Sequence, residues 1–256
     1  MSVLFSDLDN TMIFSHHREI GNKKIVVEHL DGRAQSFMTR FTYDFFTKAD
    51  WLNTIPVTTR TEQQYRRIEC AQELRFKYAI ICNGGKLLID GKEDLGWSRK
   101  TDVLARDCYD SIDYATEVLS HLCNDEAVHR PEKYMSYAKC NNPESVYIEL
   151  RKVIDINKVN IQRDGRKVYI FANGITKGEA LKRFIDGRKS ETIIAAGDNL
   201  MDVSMLNRAD IAFANQSIFA LTTCKNKIKI IDEIFSDGIC KSISEMRMKG
   251  KFLRFI

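Results

Sequence analysis

The 256-residue sequence contains little proline and glycine and no extended apolar segment. It has 3 prolines and 13 glycines, which argues against long disordered linkers. No apolar stretch approaches the roughly 20 residues that a membrane-spanning helix requires. Internal repeats and low-complexity segments are also absent, which argues against a repeat architecture. Since 44% of the residues are hydrophobic, we expect a soluble globular protein with a substantial buried core and one or two domains.

An excess of charge of one sign is also missing. The chain has 39 basic and 35 acidic residues, a net charge of +4, and both signs are mixed along its length. Nucleic-acid binding requires positive charge gathered on one face, so we expect no nucleic-acid partner and, without an apolar span, no membrane partner. The mildly positive balance suits a small anionic substrate. The sequence leaves the oligomeric state open between monomer and dimer.

The cysteines lack the pattern of a disulfide framework or a zinc site. Their number is odd, and no C-x-x-C pair or Cys/His grouping at zinc-finger spacing occurs. Such scattered cysteines are typical of reduced thiols, so we expect a cytoplasmic protein. The seven are Cys70, Cys82, Cys108, Cys123, Cys140, Cys224 and Cys240.

Short apolar segments alternate with amphipathic segments at both ends of the chain, which predicts an α/β fold with a parallel sheet. The predicted strands are 2–8, 53–58, 78–82, 167–172, 192–196 and 211–214. The predicted helices are 41–52, with Thr39 as a possible N-cap, and 62–76, 177–185 and 202–208. Asp31-Gly32 predicts a hairpin turn between strands 24–29 and 34–39.

The middle of the chain has a different pattern. It begins with a hairpin-like segment at 87–92 and continues with a predicted helix at 111–122, strands at 134–140 and 145–150, and a helix at 154–160. We therefore predict an inserted α+β domain at 89–167, within a catalytic core formed by 1–88 and 168–256.

Two pairs of acidic residues lie at or just after predicted strands. Asp7 and Asp9 project the same way if their strand continues through both. Like charges so close require a cation or a shared proton, and Mg²⁺ prefers oxygen ligands. Asp198 and Asp202 are four residues apart, another arrangement that suits a metal. Each pair is also compatible with a solvated acidic turn or with acids at a helix N-terminus.

Hydroxyl and basic side chains occur at two further strand ends. Thr58 precedes a predicted helix, where a hydroxyl and backbone N–H groups can form an anion site. Lys177 begins another helix and can neutralise a phosphate oxygen. The alternatives are simple capping by a threonine and an ordinary surface lysine. Because ligands bind outside the carboxyl ends of parallel strands, we expect these groups to converge with the acids.

Taken together, the order and spacing of these motifs resemble those of the haloacid dehalogenase-like (HAD) phosphatases. The resemblance covers roughly 1–88 and 168–235, and it points to the Cof-type branch, with sucrose-phosphatase-like and phosphomannomutase-like relatives. The matching segments are FSDLDNT at 5–11, VTTR at 57–60, CNGG at 82–85, TKG at 176–178 and GDNLMDVSML at 197–206.

This resemblance implies a Rossmann-like parallel core with an inserted C2-type cap and assigns a role to each motif residue. Asp7 would be the nucleophile and Asp9 the acid–base residue, with Thr58 and Lys177 holding the phosphoryl group. The implied Mg²⁺ ligands are Asp7, Asp9 through its backbone carbonyl, Asp198 and Asp202, the last through a water or by orienting Lys177. The predicted substrate-binding residues are Thr59, Arg60, Asn83, Gly84 and Asn199.

The chain departs from the family pattern at three positions. Asn10 occupies a position that is usually glycine, and asparagine tolerates the left-handed conformation better than most residues. Met201 stands where an asparagine commonly touches the phosphate, so we expect that donor to be missing or replaced by Asn199. Thr59 replaces the usual glycine of its motif. We expect activity with altered phosphate contacts.

The function implied by the resemblance is Mg²⁺-dependent hydrolysis of a small phosphorylated metabolite, such as a sugar phosphate, through an aspartyl-phosphate on Asp7. Two alternatives stay open: a phosphotransferase or mutase that uses the same intermediate, and a catalytically weak module that binds phosphorylated ligands. The substrate contacts within the cap are expected among a basic and aromatic cluster, although surface charge and cap core also explain these residues. The cluster comprises Arg130, Lys133, Tyr134 and Tyr137.

Overall fold

The computed structural model describes residues 2–123, 128–186 and 192–250. The chain divides into two compact units. The core unit comprises Met1–Glu93 and Lys177–Ile256, and the inserted unit comprises Asp94–Thr176.

A five-stranded parallel sheet forms the centre of the core unit, with the strand order β15-β14-β13-β1-β5. Strand β1 is buried along its whole length, as its apolar sequence predicts. Its last residue, Ser6, pairs with Ala196 on one side and with Pro56 on the other. The strands are β1 (Ser2–Ser6), β5 (Leu52–Pro56), β13 (Thr192–Gly197), β14 (Ile211–Ala214) and β15 (Lys227–Lys229).

The core unit also contains two smaller three-stranded sheets, with the orders β2-β4-β3 and β6-β7-β8. The turn predicted at Asp31-Gly32 is confirmed, since both residues adopt positive φ angles of 51° and 72°. The predicted strand at 78–82 becomes β6, which pairs with β7 and joins β5 through a single bridge between Val57 and Ile80. The strands are β2 (Phe14–Ser15), β3 (Lys24–Leu30), β4 (Arg33–Thr39), β6 (Tyr78–Ile81), β7 (Lys86–Ile89) and β8 (Lys92–Glu93).

The core-unit helices at 40–48, 177–185 and 203–206 fall close to the predicted segments, the helix that begins at 62 is shorter than predicted, and the helix at 235–248 corresponds to no prediction. Thr39 caps the first helix by accepting a hydrogen bond from the N–H of Thr42, as predicted. The α-helices are α1 (Arg40–Lys48), α2 (Glu62–Tyr65), α6 (Lys177–Ile185), α7 (Val203–Leu206) and α8 (Phe235–Met248). The described part of the core unit also contains 3-10 turns at Cys82–Gly84, Leu200–Asp202 and Phe219–Leu221.

The prediction of a long helix at 62–76 is wrong, because α2 ends at Tyr65. The chain beyond it bonds to the β3–β4 hairpin: the N–H of Glu69 donates to the carbonyl of Val27, and Ile68 forms a β-bridge with Glu28. Backbone groups that bond to a neighbouring strand are unavailable for helical hydrogen bonds. Pairing with the hairpin therefore overrides the helical pattern of this segment.

The inserted unit is built on an antiparallel sheet with the order β11-β12-β10-β9. Helix α4 packs on this sheet, where the hydroxyls of Thr116 and Ser136 lie 2.8 Å apart. The elements are α3 (Leu95–Ala105), α4 (Tyr109–Cys123), β9 (Val128–Glu132), β10 (Met135–Lys139), α5 (Pro143–Val153), β11 (Val159–Asp164) and β12 (Lys167–Ala172). A 3-10 turn at Arg106–Cys108 links α3 to α4.

Two predictions for the inserted unit are wrong. The segment 145–150, predicted as a strand, lies in helix α5, which Asn142 caps and which has Pro143 in its first turn. The segment 154–160, predicted as a helix, is a turn that leads into β11. Helix α3 was not predicted at all.

The unit boundaries differ from the predicted boundaries by a few residues. Strand β12, predicted as part of the second core segment, pairs instead with β10 and β11. The inserted unit therefore extends to Thr176, and β8 stays with the core unit. The α/β fold class, with a Rossmann-like parallel core and an inserted α+β unit, is confirmed.

All seven cysteines lie within the described residues and are free thiols, six of them buried. None of the helices in the described ranges combines the length and apolar character needed to cross a bilayer.

Candidate active site

Three motif loops meet at the carboxyl end of the parallel sheet. The N–H of Asp7 donates to the carbonyl of Ala196 at 3.0 Å, and the N–H of Val57 donates to the carbonyl of Ser6 at 2.8 Å. The strand ladder thus continues by one residue beyond β1 and β5. Asp7, Thr58 and Asp198 therefore begin their loops at one edge of the sheet, where ligands of open α/β folds bind.

Lys177 is the centre of a buried charge cluster. Its side chain is 1% exposed, and its Nζ lies 2.5 Å from Asp7 Oδ1 and 2.6 Å from Asp202 Oδ1. Burial of an isolated ammonium group is very unfavourable, so the position depends on the two carboxylates. The predicted lysine is therefore a buried site residue rather than one more surface lysine.

Burial and charge act in opposite directions on this cluster. Burial disfavours the charged form of Lys177, but Asp202 and Asp7 outweigh it and raise the pKa of the ammonium group. For Asp7, burial and the carboxylates of Asp202, Asp198 and Asp9 raise the pKa well above its usual value, against the opposing effect of Lys177. An added cation would therefore favour the ionised form of Asp7.

The loop after β13 is held by Asp202. Its Oδ2 accepts hydrogen bonds from the N–H groups of Asp198 and Asn199, at 2.9 and 3.0 Å, while its Oδ1 accepts from Lys177. Gly197 allows this close approach, since a Cβ at that position would lie 2.3 Å from the Cβ of Asp202. The Gly-Asp-x-x-x-Asp spacing therefore serves the geometry of the loop as well as its charge.

Asp198 is fixed by Thr11, which ends the first motif, and by two residues that the sequence did not single out for the site. Thr11 donates from its hydroxyl to Asp198 Oδ1 at 3.1 Å. The side chains of Asn215 and Ser217 donate to the backbone carbonyl of Asp198, at 2.8 and 3.2 Å. The available signal was their position, because Asn215 directly follows the buried strand β14.

The carboxylates fit a divalent cation. One oxygen from each of Asp7, Asp198 and Asp202 lies within 4.8 Å of the other two. Asp7 Oδ2 is buried and has no hydrogen-bond partner among the described residues. A buried carboxylate oxygen without a donor requires compensation, and clustered carboxylate oxygens are the ligands that Mg²⁺ prefers. The side chain of Asp9 is not part of this cluster.

Arg60 binds Asp9 with two parallel hydrogen bonds. Its Nε donates to Asp9 Oδ2 at 2.9 Å, and its Nη2 donates to Asp9 Oδ1 at 2.8 Å. The same Nη2 donates to Glu28 Oε2 at 2.9 Å, and Nη1 donates to the carbonyl of Gln64 at 3.2 Å. Burial disfavours the charged form of Arg60, but the carboxylates of Asp9 and Glu28 outweigh it and raise the pKa of the guanidinium group. The hydrogen bonds that the structure gives for Arg60 thus all go to acceptors within the protein.

The other predicted substrate-binding residues lie in the loops after β5, β6 and β13. Thr58 is buried; its hydroxyl accepts from the N–H of Arg60 at 3.2 Å, and its carbonyl accepts from the N–H of Asn83 at 2.9 Å. Asn83 and Gly84 both adopt positive φ angles, of 57° and 106°. Thr59 is half-buried, and the side-chain oxygen of Asn199 accepts from the N–H of Met201 at 2.9 Å.

One departure from the family pattern, Asn10, has a structural explanation, and a second, Met201, is a buried apolar side chain. Asn10 adopts a φ of 61°, so the residue that replaces glycine does take up the left-handed conformation, as expected. Met201 is buried within the core unit.

The four residues proposed for substrate contact in the inserted unit are in different environments. Arg130 pairs with Asp113, and Lys133 lies over the ring of Tyr109, 5.8 Å from its centroid. Tyr134 and Tyr137 are buried. Their role in substrate binding stays a prediction.

The family model described as haloacid dehalogenase-like hydrolase matches residues 113–241. The chain belongs to this family, as the motifs predicted. No curated protein sequence matches the chain.

Solved structures of phosphatases share the fold over nearly the whole chain. Sucrose-phosphatase from Synechocystis sp. PCC6803, in complex with sucrose and phosphate, matches with a TM-score of 0.62 and 13% identity, covering 96% of this chain and 98% of that one. The HAD subclass IIB sugar phosphatase BT4131 matches with a TM-score of 0.62 and 16% identity over 98% and 99%. A trehalose-6-phosphate phosphatase related protein matches with a TM-score of 0.55 and 17% identity over 97% and 100%. At these identities the likeness establishes the fold, and together with the family match it supports the prediction of a phosphomonoesterase.

Proposed function

We propose that the chain is a Mg²⁺-dependent phosphatase that hydrolyses a small phosphorylated metabolite, with Asp7 as the nucleophile. The observation that carries this proposal is the environment of Asp7. One of its oxygens bonds to Lys177 at 2.5 Å, the other is buried without a donor, and two further carboxylates lie beside it. A buried carboxylate beside a lysine that can hold phosphoryl oxygens and beside further carboxylates that can bind a metal is suited to attack on phosphorus.

The residues would perform two successive transfers. In the first, an Asp7 oxygen bonds to phosphorus while the bond from phosphorus to the leaving oxygen breaks, and Asp9 gives that oxygen its proton. In the second, water attacks the phosphorus, Asp9 takes a proton from the water, and the bond to Asp7 breaks to release inorganic phosphate. Lys177 and Thr58 hold the phosphoryl oxygens.

Asp7, Asp198 and the backbone carbonyl of Asp9 would hold the metal. Asp202, whose two oxygens are engaged with Lys177 and the loop, would orient that lysine or reach the metal through water. Bound Mg²⁺ would supply positive charge that offsets the repulsion between the Asp7 carboxylate and an anionic phosphate. The three clustered carboxylates of Asp7, Asp198 and Asp202 lie beside the ammonium group of Lys177, so a divalent cation would also balance the charge of this cluster.

A sugar phosphate is the proposed substrate class, by analogy with the structural neighbours that are named as sugar phosphatases. The inserted unit would act as the cap that selects the substrate. The free thiols and the absence of a helix that could span a membrane among the described residues are compatible with the proposed reducing, cytoplasmic location.

The direct test is release of phosphate from 4-nitrophenyl phosphate, with and without Mg²⁺, by the wild type and by Asp7→Asn. We expect Mg²⁺-dependent turnover by the wild type and a loss of about a thousandfold or more in the variant, the scale seen when a nucleophile is removed. Asp186→Asn, an exposed acid of the core unit, is the matched control and should retain activity. Undiminished turnover by Asp7→Asn would refute the assignment.

A panel of phosphorylated sugars and related metabolites would then identify the substrate. The same panel, run with an added sugar acceptor, separates hydrolysis from transfer. Appearance of the phosphoryl group on the acceptor, with little free phosphate, would indicate a phosphotransferase instead.

A further inference from the structure

Glu28 is a buried acid outside every motif that carries the proposed chemistry. Its side chain is 1% exposed, although it lies in the β3–β4 hairpin, most of which is partly exposed. A buried carboxylate is expensive unless it is paired and hydrogen-bonded, and a hairpin strand does not need one. The position of Glu28 therefore requires an explanation beyond the folding of the hairpin.

An irregularity in the hairpin accounts for the inward position of this side chain. The pairing of β3 with β4 shifts register on both sides of Glu28, and the residue also bridges to Ile68. As a result, Val27 and Glu28 are buried in succession, which a regular two-residue alternation would not allow. Such bulges change the direction of a side chain and are frequent near active sites.

Three donors converge on the Glu28 carboxylate. Arg67 Nε donates to Oε1 at 2.8 Å, while the Ser36 hydroxyl and Arg60 Nη2 both donate to Oε2, at 2.6 and 2.9 Å. Both oxygens are thus fixed from different elements. The carboxylate is a rigid acceptor at a defined place.

Arg60 links this acceptor to the active site. Its Nη2 is shared between Glu28 Oε2 and Asp9 Oδ1, and its Nε holds Asp9 Oδ2. The Arg60 side chain is 10% exposed, whereas that of Asp9 is 43% exposed and lies in a loop. The position of the guanidinium, and through it that of the Asp9 carboxylate, is therefore set by an anchor in the hairpin. A displacement of about 1 Å at a reacting group can reduce the rate on the order of a hundredfold.

We propose that Glu28 is a positioning residue, which places the Asp9 carboxylate for proton transfer to the leaving oxygen by anchoring Arg60. This inference rests on the proposed function, because it assigns Glu28 to the step that Asp9 performs. Glu28 acts without contact to the substrate or the metal. Its effect on catalysis passes through one guanidinium group.

The dependence of the rate on the leaving group distinguishes this role from a purely structural one. Phenyl phosphate releases a more basic oxygen than 4-nitrophenyl phosphate does, so it depends more on protonation by Asp9. We would measure kcat/KM for both substrates, because this constant reports the transfer of the phosphoryl group to Asp7. Glu28→Gln keeps the size of the side chain and removes its charge.

For Glu28→Gln we expect kcat/KM on phenyl phosphate to fall on the order of tenfold or more, a part of what general acid catalysis contributes. On 4-nitrophenyl phosphate we expect a fall of less than about threefold, because a good leaving group needs little protonation. An equal fall on both substrates, or no fall on either, would overturn the proposal.

The matched control is Glu69→Gln. Glu69 also joins the hairpin to the segment after α2, by a hydrogen bond between its carboxylate and His29 Nδ1 at 2.7 Å, but no described contact of its side chain leads to Asp9. We expect the rates on both substrates to stay within about twofold of the wild type, because exposed polar contacts of this kind contribute little to stability. A selective loss on phenyl phosphate in this control as well would count against a specific role of Glu28.

A second variant covers the case in which Glu28→Gln does not fold. Ser36→Ala removes the hydroxyl that donates to the same oxygen as Arg60 and leaves every charge in place. We expect kcat/KM to fall more on phenyl phosphate than on 4-nitrophenyl phosphate, by a smaller factor than in Glu28→Gln. An equal fall on both substrates, or no fall on either, would overturn the proposal. If the wild type itself hydrolyses neither phosphate with Mg²⁺, the proposed function fails, and the role of Glu28 fails with it. An active wild type with an unselective Glu28→Gln variant refutes the role of Glu28 alone.

Discussion

At the scale of single residues, the candidate site consists of charged groups that can be buried only because they pair with one another. Lys177 is buried because Asp7 and Asp202 accept its hydrogen bonds, and Asp202 in turn holds the N–H groups of Asp198 and Asn199. Replacing one of these residues leaves its partners buried and unpaired. The resulting loss in the free energy of unfolding therefore exceeds the contribution of a single hydrogen bond. Stability and catalysis are therefore coupled at this site.

This coupling predicts the effect of Lys177→Met. The variant leaves two buried carboxylates without their counterion, so we expect a loss of about 3–5 kcal/mol in the free energy of unfolding. We also expect kcat to fall on the order of 10²–10³-fold, the scale for removing one group that stabilises transition-state charge. Urea denaturation and phosphate release measure the two effects.

Lys182→Met is the matched control for this experiment. Lys182 lies on the same helix with an exposed side chain, and its ion pair with Glu179 is long, at 3.8 Å. We expect a change in unfolding free energy within about 0.5 kcal/mol and wild-type turnover. A Lys177→Met variant as stable as this control would contradict the coupling.

At the scale of elements, helix α6 carries Lys177 into the site by packing closely against α7. The N–H of Gly178 donates to the Ser204 hydroxyl at 3.1 Å, and a Cβ at position 178 would lie 2.2 Å from the carbonyl oxygen of Ser204. The Lys-Gly pair therefore combines a site residue, Lys177, with the glycine that allows helix α6 to approach helix α7. The glycine is required by packing and not by its backbone angle.

Gly178→Ala tests this packing. Helix propensity alone would favour alanine by about 1 kcal/mol, but overpacking costs typically about 1–3 kcal/mol. We expect a net loss of stability in urea denaturation and reduced phosphatase activity, because Lys177 moves with the helix. Lys182→Ala, on the exposed side of α6, should be neutral. A more stable Gly178→Ala variant would show that the two helices separate without cost.

The β3–β4 hairpin is a second element whose attachment depends on charge. Burial alone would raise the pKa of Glu28, but hydrogen bonds and charge from Arg60, with hydrogen bonds from Ser36 and Arg67, hold it below its usual value of 4.5. Because the pKa is lower in the folded state, the ionised carboxylate contributes stability at higher pH. That contribution is complete above about 4.5 and is lost as the pH falls through the folded pKa.

We therefore expect the difference in unfolding free energy between the wild type and Glu28→Gln to be constant from neutral pH down to about 4.5, and to shrink below it. Urea denaturation of both proteins across this range measures the difference, and other acids cancel in the comparison. A difference that does not change at low pH would mean that the charge of Glu28 does not stabilise the fold.

At the scale of the whole molecule, a bound cation should stabilise the core unit. A ligand that binds the folded state alone raises the free energy of unfolding by about 2.7 kcal/mol at a hundredfold excess over its Kd. We expect Mg²⁺ to raise the Tm of the wild type and to leave Asp198→Asn unchanged, since that variant loses a carboxylate of the cluster. Asp186→Asn should respond like the wild type. An equal rise in all three proteins would place the ion elsewhere.

Much of the core could be predicted from local patterns. Strands β1, β13 and β14 are short apolar segments, and the motif residues Asp7 and Asp198 directly follow β1 and β13. The hairpin turn and the cap at Thr39 follow from residue types with strong local preferences. The helix predicted at 62–76 and the two wrong elements of the inserted unit show the limit of such patterns.

The sequence by itself determined the motifs, their order and the parallel core, because these depend on residue type, spacing and the burial of apolar segments. Only the tertiary structure decided that Arg60 binds both Asp9 and Glu28. It also decided that Thr11 and Asn215 hold Asp198 in place. In the same way, it decided that the segment after α2 pairs with the β3–β4 hairpin. These contacts join residues far apart in the chain. No local pattern encodes such a partner, because a buried charge is stabilised by whichever opposite charge the fold brings within hydrogen-bonding distance.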